Sequence, residues 1–303
     1  MARVRDRSWP PAPEVLPRPV VDNHTHLDSI AQVLADGEPV PTVAQLIADA
    51  TAVGVTRMVQ VGCDLPAARW TDAAVREHPA LVGAVAIHPN EAPLHAGVRE
   101  VGPDGLDPSV REHHGVDLDT AIAEIASIAR TNDRVRAIGE TGMDLFRTGE
   151  RGVAVQREAF RAHVALAKEL GIALQIHDRD AHAEVLDVLA KDGAPDRTVF
   201  HCYSGDAAMA EHCVREGWFL SFAGPVTFGA NDGLREALRR TPLSQVLVET
   251  DAPYLTPHPF RGRPNAPYLV PVTLRTIAAV HDVDLATVCD TVSATSERLY
   301  GPW

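Results

Sequence analysis

Short β-branched runs alternate along the chain with stretches whose apolar residues recur at three- and four-residue spacing. The runs are Val20–Asn23, Arg57–Val61, Leu81–Ile87, Val135–Ile138, Ala173–Ile176, Thr198–Phe200, Phe219–Phe222 and Gln245–Val248. Helical periodicity occupies Val43–Ala52, Ala67–Glu77, Leu118–Arg130, Val153–Leu170, Ala183–Lys191, Ala207–Glu216 and Asn231–Arg239 between them. Such alternation predicts parallel strands joined by helical crossovers. Eight units in 303 residues predict an α/β chain of the (β/α)8, TIM-like barrel type. The competing architecture is an open doubly wound sheet, but no Gly-x-Gly-x-x-Gly follows the first strand to support it. The tail Asp284–Tyr300 reads as one or two closing helices. Residues 91–117 break the rhythm with glycine, proline and charge, and read as an insertion on the barrel rim. His113 and His114 lie in it; being adjacent, their side chains need not converge, and a solvated loop is expected. Residues 1–19, proline-rich from Ser8, read as an extended lead-in, and 20–303 as one barrel domain.

Composition narrows the setting. A hydrophobic fraction of 45% suits a globular core, and no apolar run is long enough to span a membrane. The basic start Met1–Arg7 has no apolar stretch behind it, so no secretory signal is expected. Cys63, Cys202, Cys213 and Cys289 form no Cys-x-x-Cys pair and read as reduced thiols of a cytoplasmic protein. The net charge of −13 excludes nucleic-acid binding through a broad basic surface. Phosphate contacts must instead be local, made by a few arginines and bound cations. Neither a membrane nor a stable protein partner is implied.

Candidate chemistry gathers at the strand ends. The first strand runs Val20-Val21-Asp22-Asn23-His24-Thr25-His26-Leu27. Alternate residues share one side of a strand, so His24 and His26 project together about 6–7 Å apart along the backbone. Two imidazoles so placed can grip one divalent ion. Glu140 ends the fourth strand, His177 the fifth, His201 the sixth and Asp251 the eighth. In a barrel these ends meet at one mouth. Four imidazoles and two carboxylates exceed the needs of one tetrahedral ion and suit two ions sharing a carboxylate. Singly, each has a plainer reading. A histidine after a strand often just donates to a carbonyl, and Glu140 or Asp251 before a helix reads as an N-cap or a first-turn charge.

These segments carry a family resemblance. Asp22-Asn23-His24-Thr25-His26-Leu27, Ile138-Gly139-Glu140-Thr141-Gly142-Met143-Asp144, Ile176-His177-Asp178-Arg179, His201-Cys202-Tyr203-Ser204-Gly205, Glu249-Thr250-Asp251-Ala252-Pro253-Tyr254 and Arg261-Gly262-Arg263-Pro264-Asn265-Ala266-Pro267 together resemble the TatD family of metal-dependent deoxyribonucleases and hydrolases, within the amidohydrolase-like superfamily. The resemblance spans residues 20–300 in the family's order. It implies that His24, His26 and Asp251 hold one ion, that His177 and His201 hold the other, and that Glu140 bridges them. Met143 stands where the family usually has leucine, Leu145 where it often has an aromatic, and His163 near a common glutamine. The stretch 91–117 is longer than the family pattern.

Around the ligands, Asp22 is placed to orient an imidazole. His88 is placed near substrate by the resemblance. Arg179, two residues past His177, can hold a phosphate oxygen or pair with a nearby carboxylate. Arg261 and Arg263, beside Asn265 in a loop after the eighth strand, are candidate phosphate contacts or solvent-exposed loop charges. Asp251 is the candidate general base, and Glu140 the second catalytic carboxylate. The expected function is hydrolysis of DNA phosphodiesters with two divalent ions (zinc, manganese or magnesium). Single-stranded DNA as substrate and 3′-to-5′ direction come from the resemblance. The alternatives are hydrolysis of a small amide, lactone or ester, or of an aminoacyl-tRNA ester. A non-enzymatic barrel with a structural metal is weaker, because no cysteine sits among the six ligand candidates.

Overall fold

The computed structural model describes residues 6–35 and 37–303. The basic start of the lead-in, Met1–Arg5, lies outside them. The chain is a (β/α)8 barrel. Its strands are β1 (Val20–Thr25), β2 (Val55–Gly62), β3 (Leu81–Val85), β4 (Val135–Asp144), β5 (Ala173–Arg179), β6 (Thr198–Phe200), β7 (Phe219–Phe222) and β8 (Val246–Val248). They follow one another in sheet order, and the recorded pairs are parallel. β1, β3, β6, β7 and β8 are buried along their whole length. That is why β3 and β8 carry no polar side chain: a strand covered on both faces has no solvent side to alternate with.

The chain divides into two compact units. The first contains β1, most of β2, β7 and β8, with the helices α1 (Val43–Ala52), α7 (Ala207–Arg215), α8 (Asp232–Arg240), α9 (Val270–His281) and α10 (Leu285–Tyr300). Thr42 and Gln45 close a capping box at the start of α1. Asp206 and Asp284 cap α7 and α10 through the backbone N–H groups of Met209 and Thr287. The predicted closing segment is thus one helix, α10, preceded by α9, whose Val270-Pro271 start hides its periodicity.

The second unit contains most of β3 and all of β4–β6, with α2 (Leu65–Glu77), α3 (Ala92–His95), α4 (Leu118–Thr131), α5 (Glu150–Leu170) and α6 (His182–Asp192). Asp117 caps α4, and Gly171 at φ 63 ends α5 in the left-handed conformation that suits glycine. The strand β4 runs six residues past its predicted end, to Asp144. Gly142 makes that possible. It sits at φ 131, and a Cβ there would meet the His177 carbonyl oxygen at 2.1 Å, so only glycine lets β4 and β5 approach this closely. The 91–117 stretch carries α3 and a 3-10 turn, Glu112–Gly115.

Candidate metal centre

In the first unit, His24 and His26 leave β1 on one side, with their Nε2 atoms 3.2 Å apart. The Asp251 carboxylate comes to meet them: Oδ1 is 3.3 Å from His26 Nε2 and 3.9 Å from His24 Nε2. Main-chain pairing sets this arrangement. The Asp251 amide donates to the His24 carbonyl at 2.9 Å and the His26 amide to that of Ala252 at 2.7 Å. Asp251 takes φ 54 to turn back, a left-handed conformation that aspartate tolerates. Among the described residues no helix begins at Asp251, so the N-cap reading of this residue is set aside. The donor set fits a metal. Ligands on bonds of 2.0–2.2 Å around a tetrahedral ion stand about 3.3–3.6 Å apart, close to the spacings seen.

Behind these ligands lies Asp22, fully buried. Its carboxylate accepts from the backbone N–H of His24 at 3.3 Å, from that of Thr250 at 2.9 Å and from the Thr250 hydroxyl at 2.5 Å. The sequence suggested that Asp22 orients an imidazole; its carboxylate instead holds the main chain of the His24 and Thr250 segments. Burial lifts its pKa to about 8, against these hydrogen bonds.

In the second unit Glu140 is the hub. Its Oε1 lies 2.6 Å from His177 Nδ1, 2.8 Å from His201 Nε2 and 3.3 Å from His88 Nε2. The Cys63 thiol donates to Oε2 at 3.4 Å. Register places Gly142 opposite His177, which brings the β4 and β5 groups level. Burial opposes ionisation of Glu140, but the charges of His201 and His88 and hydrogen bonds from His177 and His201 hold it well below the usual carboxylate range. Burial likewise works against protonating His177. Its bonds to Asp144 and Glu140 outweigh that and raise it to about 9. Asp144, buried and bonded to His177 Nε2 at 3.2 Å and Asn90 Nδ2 at 3.0 Å, is lowered to about 2 despite its burial, chiefly by His177. His88, Glu140 and His177 offer donor atoms close enough to share an ion.

A family profile described as "TatD related DNase" matches residues 21–301. The chain belongs to the TatD family. It is 43% identical over 286 residues to an uncharacterized metal-dependent hydrolase named TatD from Mycobacterium tuberculosis (strain ATCC 25618 / H37Rv), covering 93% of this chain and 98% of that one. With the metal-dependent hydrolase YabD of Bacillus subtilis (strain 168) it shares 31% over 282 residues, 92% and 98% of the two chains. The crystal structure of YJJV, a TatD homologue from Escherichia coli K12, superposes with a TM-score of 0.76 at 21% identity, covering 94% and 98%. The protein is accordingly a metal-dependent hydrolase of the TatD family.

The TatD barrel leaves some of the expected substrate contacts exposed and engages others within the chain. Arg179 is exposed, its guanidinium 4.2 Å from the Phe146 ring centroid. It has no carboxylate partner among the described residues, since Asp178 binds His182 at 2.7 Å instead. Arg261 is exposed over Phe228, at 4.8 Å. Arg263, however, is engaged. It bonds the Ser8 carbonyl and hydroxyl and the Trp9 carbonyl, and pairs with Asp6 at 3.4 Å. Asn265 is fully buried and donates to the carbonyls of Thr250 and Tyr254 while accepting from the Ala266 amide. These two are loop braces rather than substrate contacts, because their polar atoms are already spent on backbone. Asp144 and Cys63, both in touch with the Glu140–His177 group, were not singled out from sequence. Cys63 stands immediately after β2, as the histidines do after their strands, and that position was the available signal. His113 and His114 do converge, against expectation: their ring centroids are 4.1 Å apart.

Proposed function

We propose that the protein hydrolyses phosphodiester bonds of DNA, releasing nucleotides 3′-to-5′ from single strands with two divalent ions. His24, His26 and Asp251 would hold one ion, His177 and His201 the other, with Glu140 as the carboxylate assigned to both. Mixed imidazole and carboxylate donors suit zinc or manganese, with magnesium as a third candidate. Such ions supply Lewis acidity, making water nucleophilic at neutral pH and offsetting charge on the substrate. Asp251 accepts the proton of the attacking water at its carboxylate. The expected place of action is the cytoplasm; among the described residues no helix is long and apolar enough to cross a membrane.

The observation that carries the phosphodiester reading is Arg179. In a chain of net charge −13, an exposed guanidinium without a carboxylate partner among the described residues stands two residues from His177, its carbon 4.2 Å over the Phe146 ring centroid. A planar cation so placed suits a phosphate oxygen and offers little to a neutral ester. The family description as a DNase supports the same substrate.

The test is a substrate panel on metal-stripped protein refilled with one ion at a time. It sets end-labelled single-stranded DNA against duplex DNA, neutral aryl esters and amides. Release of 3′-terminal nucleotides from single strands is expected. Arg179→Ala should raise KM for DNA about tenfold, the worth of one charge-assisted hydrogen bond, and leave any slow ester turnover unchanged. Ester turnover without DNA cleavage under every ion would overturn the reading.

A further inference from the structure

A second group of titratable side chains lies in the second unit, sharing no residue with the ligands above. It joins the 91–117 insertion to the loop after β2. His113 Nε2 is 3.0 Å from Glu91 Oε2 and 3.9 Å from Asp64 Oδ2. His114 Nε2 is 2.6 Å from the same Glu91 oxygen. His95 packs its ring against both histidines, at centroid distances of 5.7 and 5.1 Å. The donor atoms of His95, His113 and His114 lie within 4.8 Å of one another, and so do those of Asp64, Glu91 and His113.

Hydrogen-bond partners fix where the protons are. The Arg111 backbone N–H donates to His114 Nδ1 at 2.8 Å. That nitrogen therefore carries the lone pair, and Nε2–H is given to Glu91. His114 positions the carboxylate and does not compete for a cation. His95 is the reverse case. Its Nδ1 is 2.8 Å from the Val116 carbonyl, which can only accept, so Nδ1 bears the hydrogen and Nε2 keeps its lone pair. His95 is 5% exposed, and Nε2 has no hydrogen-bond partner among the described residues. A network built only to satisfy hydrogen bonds would not leave a buried imidazole lone pair facing two histidines. A Lewis acid would satisfy it.

We propose that His95, His113, Glu91 and Asp64 form a binding site for one divalent cation of the zinc class, with His114 orienting Glu91. The two triads meet at His113, and one ion drawing on both would have two imidazoles and two carboxylates, a charge-neutral set for a dication and the number a tetrahedral site takes. Calcium and magnesium, which prefer oxygen donors throughout, fit poorly. The neighbouring chain gives the site a purpose. Asp64 follows Cys63, whose thiol reaches Glu140, and the Glu91 amide is bonded to the His88 carbonyl at 2.9 Å. A cation here clamps the insertion onto the two loops that carry Cys63 and His88.

The test compares wild type, a His95→Ala/His113→Ala variant and a His24→Ala/His26→Ala variant, each equilibrated with zinc and freed of excess. Metal content is read by mass spectrometry, and trypsin cleavage after the exposed Arg111 with and without a chelator. The first variant should hold one equivalent fewer than wild type, whatever the wild-type total. Zinc at about ten times its dissociation constant should slow cleavage after Arg111 about tenfold in wild type, equally in the His24→Ala/His26→Ala variant, and not at all when His95 and His113 are absent. Asp64→Asn, a milder change at a half-buried position, should weaken the protection without altering the fold seen by circular dichroism. Unchanged metal content in His95→Ala/His113→Ala, or zinc-independent cleavage of the wild-type chain, would overturn the proposal.

Discussion

The two candidate ligand groups are held in place by different chemistry. Around β1 and β8, main chain holds main chain: strand-to-strand hydrogen bonds and the buried Asp22 carboxylate fix the backbone from which His24, His26 and Asp251 project. Around β4, β5 and β6, side chains hold side chains, with Glu140 gripping three imidazoles and Asp144 gripping His177 from behind. Spacing follows support. The first group stands at 3.2–3.9 Å, the edge lengths of a coordination tetrahedron. The second closes to 2.6 and 2.8 Å, which is hydrogen-bond length. An ion entering there must displace a proton and spread the donors by about half an ångström. The first group has the spacing of a coordination shell, the second that of a hydrogen-bonded cluster.

The largest effect is expected at Asp251. Asparagine keeps the shape and an oxygen donor but has no basicity at neutral pH. Asp251→Asn should therefore fold, retain part of its metal and lose about 10²–10⁴ in turnover. Wild-type turnover with every substrate would reduce Asp251 to a scaffold residue and erase the chemical half of the contrast.

Next comes Asp144→Asn, which weakens only the side-chain-held group. Removing the charged partner of a ligating imidazole commonly costs about 10–100-fold in metal affinity. A chelator titration should show that one class of ion is lost earlier while the other, at His24 and His26, leaves at the wild-type concentration. Equal weakening of both classes would dissolve the distinction between the groups.

The smallest effect concerns the buttress of β4. His163 is fully buried, accepting from the Ile87 amide at 3.3 Å through Nε2 and facing the Thr141 hydroxyl at 3.0 Å through Nδ1. Burial depresses its pKa from 6.5 to about 4, against a backbone hydrogen bond with Ala159. Protonating it would aim a second N–H at the Ile87 amide. The unfolded chain takes up this proton near pH 6.5 and the folded chain only near 4, so acid favours unfolding between those values. The contribution is complete above pH 6.5 and is lost as pH falls through that window, about 2 kcal/mol between pH 7 and 5. Urea unfolding at the two pH values should show this loss in wild type and a smaller one in His163→Gln. An identical loss in both would place the acid sensitivity elsewhere.

Sequence reading reached the strand-end histidines because apolar runs end directly before His177 and His201 and two residues before the Asn23-His24 pair. It stopped short on β4. Gly139-Glu140-Thr141-Gly142 is polar and glycine-rich, so it looks like a loop although the strand continues to Asp144, and Asp144 was lost with it. The adjacent His113 and His114 looked divergent because neighbours on a 3-10 turn point about 120° apart. One Glu91 oxygen lies 3.0 Å from His113 Nε2 and 2.6 Å from His114 Nε2, and that shared contact overrides the separation. Arg263 and Asn265 carry the residue types of substrate contacts, and only tertiary partners reveal that their donors are taken. The charge and the cysteine pattern bounded the setting but located no side chain.

The grip of Arg263 on Ser8 and Trp9 has a practical meaning for anyone preparing this enzyme. The lead-in is stitched to the same loop that presents Arg261, two residues away. A purification tag, a fusion partner or a trimmed start that draws Ser8 aside alters how that loop is carried. Two preparations with the same metal load can then differ in how Arg261 is presented for a reason that lies some 250 residues away in the chain.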